Sequence, residues 1–73
     1  MNANPVLLQK KYARIIVLYA KTYGIRPEQA MDLFYRSRLY HEIKEGVSDL
    51  HCMSDAYLAE ELYLELKEKA GSR

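Results

Sequence analysis

From Val6 to Tyr23 the chain contains neither glycine nor proline, and Leu8, Tyr12, Ile15, Ile16, Tyr19 and Tyr23 recur along it at spacings of three and four residues. That periodicity gathers six apolar side chains on one face of an α-helix. Asn4 stands where a side chain can cap the free N–H groups, Pro5 occupies the first helical position, where no hydrogen bond is lost, and Gly24 follows as the stop. Ala13, Val17 and Leu18 widen the face, which predicts a helix central to the fold and in contact with several others.

The rest of the chain repeats this grammar on a shorter scale. Arg26-Pro27-Glu28-Gln29 announces a second helix, with proline at its start and an acid in its first turn, where it complements the helix dipole. Ala30, Leu33 and Phe34 form its buried stripe. Ser37 is the candidate cap of a third helix that offers Tyr40 and Ile43 inward and ends at Gly46, unless this element continues the second helix through a kink. A loop from Val47 to Met53 leads to Ser54 or Asp55, either of them a suitable cap for a last helix with the stripe Leu58, Leu62 and Leu66. The expectation is an all-α bundle of four helices, over about 5–23, 27–36, 38–45 and 55–69, in a single domain with 70–73 as a tail. A chain of 73 residues buries only roughly 60% of its unfolded surface, so its stability margin is thin. With 49% apolar residues, three glycines and two prolines, the composition is nonetheless that of a folding domain.

Several function classes find no support. The longest strictly apolar run, Ile15 to Ala20, is far short of the roughly 20 residues of a membrane span. No secretory signal is readable at the N-terminus, so the expected location is the cytoplasm, and the lone Cys52 suits a reducing compartment. Gly24, Gly46 and Gly71 are too widely separated to form a phosphate cradle. One cysteine and two histidines, His41 and His51, fall short of a structural zinc set.

The segment Asp49 to Asp55 collects an acid, an imidazole, a thiol and a hydroxyl, but neighbouring side chains point apart, and a cysteine nucleophile needs its base and oxyanion donors brought from distant segments. Cys52 is therefore read as a small buried hydrophobe, and His51 as a cap or bridge for the loop backbone. Glu60, Glu61, Glu65 and Glu68 are read as a solvated helix face. The expectation is a non-enzyme without cofactor or metal.

What remains is surface. Residues 1–44 hold eight Lys/Arg and three Asp/Glu, a net +5, whereas residues 45–73 hold three and seven, a net −4. Such asymmetry either drives head-to-tail association or reflects two complementary halves packing within one fold, and the second reading is preferred here. Lys10, Lys11, Arg14 and Lys21 line the polar side of the first helix, and Arg26, Arg36, Arg38 and Lys44 follow. They form a candidate basic surface for a nucleic-acid-binding regulator, but a net charge of +1 is low for that role. Tyrosine joins a large apolar area to a polar tip and is frequent at protein interfaces. Among seven tyrosines, Tyr35 and Tyr63 stand beside their helices' main stripes and are expected to be exposed, with Tyr40 interleaved among the basic residues. These three are the candidate interaction surface, for another protein or a second copy of the chain.

Ala30-Met31-Asp32-Leu33-Phe34, Leu50-His51-Cys52-Met53, Tyr57-Leu58 and Glu60-Glu61-Leu62 together resemble a family of small all-helical bacterial proteins catalogued as a domain of unknown function. The likeness spans most of residues 8 to 66. It implies a helical fold, a turn shaped by Leu50, His51 and Tyr57, and, from the toxin-like neighbours of some members, a partner-binding or antitoxin-like role. The family brings no active site to carry over.

Overall fold

Helical periodicity becomes helix throughout the computed structural model, which describes residues 5–71. Helix α1 spans Pro5–Tyr23, α2 Pro27–Tyr35, α3 Arg38–Glu45 and α4 Asp55–Gly71, with a 3-10 segment at Val47–Cys52 between the last two. No strand occurs among the described residues. The expected all-α bundle is thus present. The proposed Asn4 cap lies outside the described residues, as do Ser72 and Arg73, and α4 continues to Gly71, two residues beyond its expected end.

The punctuation residues act as their chemistry dictates. Gly24 adopts a left-handed φ of 69°, and the Ile25 N–H returns to the Ala20 carbonyl at 3.1 Å, closing the last turn of α1. Ser37 has extended backbone, accepts the Tyr40 N–H on its hydroxyl and donates that hydroxyl to the Phe34 carbonyl. Helices α2 and α3 are therefore separate elements, hinged at a buried serine, and not one kinked helix. Ser54, not Asp55, caps α4 by accepting the Tyr57 N–H at 3.0 Å.

One hydrophobic core joins all four helices. Ile15, Ala30, Phe34, Leu58 and Leu62 are wholly enclosed, with Tyr12, Ile16, Tyr19, Leu39 and Ile43 nearly so. Leu8, Tyr23, Leu33, Tyr40 and Leu66 pack against them partly buried. Helix α1 is central, as its wide apolar face predicts: it packs on both α2 and α4. It is not enclosed all round, however. Val17 is 50% exposed and Ala13 is exposed, because neighbours flank α1 on two sides and leave an outer strip open.

Helix α4 runs in the same sense as α1. Its start lies against Lys11 and Arg14, and Tyr63, further along, stacks on Tyr23 near the end of α1. One acid of the C-terminal half, Asp55, meets Lys11 and Arg14 along this seam. No helix among the described residues is long and apolar enough to cross a membrane.

Candidate interaction surface

Between Pro5 and Tyr23, α1 carries four Lys or Arg and no Asp or Glu. The structure divides the four. The Lys11 side chain, only 13% exposed, turns toward α4, donating to the Met53 carbonyl and sitting 2.9 Å from Asp55 Oδ1. Arg14 Nε donates to Asp55 Oδ2, also at 2.9 Å, while over half of its side chain stays in solvent. Burial acts to raise the Asp55 carboxyl pKa, but hydrogen bonds and charge from Lys11 and Arg14 outweigh it and hold the group below the ordinary aspartate range. Lys11 is therefore removed from the expected basic surface, because α4 begins beside it and supplies a carboxylate. Lys10, Arg14 and Lys21 remain on the outer strip.

The three candidate tyrosines do not share one surface. Tyr35, 37% exposed, closes one end of a shallow groove of about 320 Å³ between α1 and α2, lined also by Ala13, Val17 and Met31. Tyr40 is half-buried behind it, with rings 4.8 Å apart, and Tyr12 and Phe34 each meet Tyr40 edge to face while their own rings are tilted at 49°. Tyr63 was expected to be exposed and is partly buried instead: it lies flat on Tyr23, centroids 4.3 Å apart, with the Lys67 ammonium 5.9 Å from its ring. Its stripe position is peripheral, but the end of α1 reaches over it. Burial first, then neighbouring phenols, pushes the Tyr12, Tyr19 and Tyr35 hydroxyls above the usual tyrosine range, so these rings stay neutral.

The expected loop at 47–53 is ordered into the 3-10 segment, in which Ser48 and Asp49 both adopt left-handed backbone, at φ 51° and 52°. Leu50 packs partly buried against the core and His51 is partly buried, while Tyr57 is 44% exposed on the first turn of α4. Cys52, expected to be buried, is exposed, because Leu50 is the residue of this segment that reaches the core. No hydrogen bond ties the His51 side chain to the loop backbone among the described residues. Nor does any group of three or more His, Cys, Asp or Glu side chains among them form a metal-binding cluster.

Glu65 corrects the reading of α4's glutamates as one solvated face. It is 8% exposed, and its two carboxylate oxygens accept the Arg38 and Leu39 N–H groups at 2.8 and 3.0 Å. It thus serves the free donors at the start of α3 from another helix, where the dipole favours an anion. Glu61 and Glu68 border a second, larger groove of about 740 Å³ between α3 and α4, with Leu64 47% exposed on its wall.

The residues that sequence reasoning missed are therefore Val17 and Met31, which place half-exposed apolar surface beside Tyr35, and Leu64 on the opposite groove. Val17 had a signal, since it falls on the same helical side as Lys10, Arg14 and Lys21. No protein family, curated protein or solved structure matches this chain.

Proposed function

We propose that the protein is an interaction module that receives a helical segment of another protein chain on the outer strip of α1 and the adjoining groove against α2. The observation that carries this reading is the row Val17, Met31 and Tyr35, each between 37% and 50% exposed, with Lys10, Arg14 and Lys21 beside Val17 on α1, a helix without an acidic residue, and Glu28 on the α2 side of the groove. Half-exposed apolar side chains in a shallow groove suit the apolar stripe of an amphipathic helix, and the basic border selects an acidic one. An antitoxin-like role is one form such a module takes. The binding of nucleic acid is less well supported, since two of the four cations on α1 are already engaged by Asp55.

Photo-crosslinking residues placed at Val17 and at Met31, in the protein expressed in its own host, test the proposal. A discrete protein adduct at both positions, absent from a probe at Glu60 and lost when Lys10→Glu and Lys21→Glu are added, is expected. Adducts to nucleic acid alone, abolished by raising the salt, would replace this reading with the regulator. Absence of any adduct would overturn both.

A further inference from the structure

The outer strip of α1 and the outer strip of α4 carry complementary side chains at the same spacing. Lys10, Arg14, Val17 and Lys21 fall within an arc of about 60° on α1, at 3.6 residues per turn. Tyr57, Glu61, Leu64 and Glu68 fall within the same arc on α4, every position 47 residues further along the chain. In both rows an apolar residue about half exposed, Val17 at 50% and Leu64 at 47%, has a charged residue three before it and another four after it. The flanking charges are positive on α1 and negative on α4. Seven residues before the apolar position stands Lys10 in one row and Tyr57, 44% exposed, in the other, a cation and an aromatic face. Among the described residues, none of Lys10, Lys21, Glu61 and Glu68 is held in an ion pair within the chain. Val17 lines the groove between α1 and α2, whereas Glu61, Leu64 and Glu68 line the one between α3 and α4, together with Arg38 and Lys67, and the two grooves share no lining residue.

We infer that the chain associates with itself head to tail, the α1 strip of one copy lying parallel to the α4 strip of the next. In that register Val17 meets Leu64, Lys21 meets Glu68, Lys10 covers the Tyr57 ring, and Glu61 meets the solvent-facing part of Arg14, whose Nε stays with Asp55 of its own copy. This deepens the proposed function, resting on the same α1 strip, and identifies the acidic helix as a second copy's α4, which presents its outer strip around Leu64 because its Leu58, Leu62 and Leu66 stripe is committed to its own core. Because the two strips are distinct, the contact is heterologous: each copy keeps one strip of each kind free until a ring closes or a chain grows. With few apolar side chains at its centre and charges around them, the contact belongs to the small, transient class, and its strength falls as salt rises.

Sedimentation velocity of the full chain over a range of concentrations, at low and at high salt, tests this inference. The average sedimentation coefficient is expected to rise with concentration at low salt and to stay at the monomer value at high salt. Lys21→Glu alone and Glu68→Lys alone each place like charges in contact and are expected to weaken association about tenfold or more. Both residues are exposed, and helical circular dichroism checks that each variant folds. Mixed one to one, the two variants are expected to associate as neither does alone, because each retains the strip that the other has lost. A wild-type monomer at every concentration, or self-association insensitive to both substitutions, would overturn the inference. A monomer that still gives a discrete adduct to a different host protein from Val17 would overturn it while leaving the proposed function standing.

Discussion

Replacing Glu65 by alanine leaves two N–H groups at the start of α3 without their acceptors, in a site only 8% open to water. Hydrogen bonds to a charged group contribute about 1.5–3 kcal/mol, so Glu65→Ala is expected to destabilise the fold by about 2–3 kcal/mol in urea unfolding, whereas Glu60→Ala, on the exposed side, shifts it by less than about 0.5 kcal/mol. The position was legible in principle: Glu65 stands seven residues after Leu58, on the same stripe as Leu62, and only its charge argued for solvent. What the one-dimensional pattern does not carry is that the start of another helix lies opposite. Asp55 acts in the same manner and with a pH signature. Its folded pKa lies below the ordinary aspartate value of about 3.9, so its contribution is complete above that value and lost as pH falls through the lower, folded pKa. Asp55→Asn is therefore expected to cost about 1 kcal/mol at neutral pH, a figure lowered for partial exposure, and progressively less as pH falls below the ordinary aspartate value of about 3.9. A stability gap that stays constant with pH would show that the Asp55 charge is not the source.

At the scale of elements, the boundaries follow local chemistry closely. Pro27, Ser37, Gly46 and Ser54 each begin or end a helix where a missing donor, a capping hydroxyl or a left-handed backbone is required. The 3-10 segment escapes this logic, because nothing in Val47-Ser48-Asp49 demands two successive residues at positive φ. Holding non-glycine residues there costs roughly 1–2 kcal/mol each. Ser48→Gly relieves that strain, and its greater freedom when unfolded offsets part of the gain, so an increase in stability of about 0.5–1 kcal/mol is expected in thermal melts. An equal loss would mean that the Ser48 side chain holds the segment in place. The outer strip of α1 was also only partly legible. Periodicity places Val17 near the apolar face, but which part of a broad apolar helix stays uncovered depends on the neighbours, here α2 and α4.

For the molecule as a whole, Phe34 is the point where three helices depend on one side chain. It is fully buried in α2, its ring lies 5.4 Å from Tyr12 on α1 and 5.5 Å from Tyr40 on α3, and it shares the core with Leu58 and Leu62 of α4. A folded chain of this length has a total stability of about 4–11 kcal/mol. Truncating a buried phenylalanine to alanine costs about 3–5 kcal/mol, a large share of that total, so Phe34→Ala is expected to lower the melting temperature by at least about 12 °C or to leave the chain unfolded near room temperature. Tyr63→Ala removes a stacked ring of comparable size from the partly exposed edge, and is expected to cost only about 1–2 kcal/mol. Because one core links all four helices, circular dichroism and tyrosine fluorescence should trace a single transition in each variant. If helical signal and part of the tyrosine signal persist together in Phe34→Ala, then α1 and α4 hold together along the Asp55 and Tyr63 seam, which carries Tyr19, Tyr23 and Tyr63, without α2 and α3, and the seam is a folding unit in its own right. Coincident loss instead makes the aromatic cluster the condition for the α1–α2 groove to exist, so that any partner bound there stabilises the whole chain in proportion to its affinity.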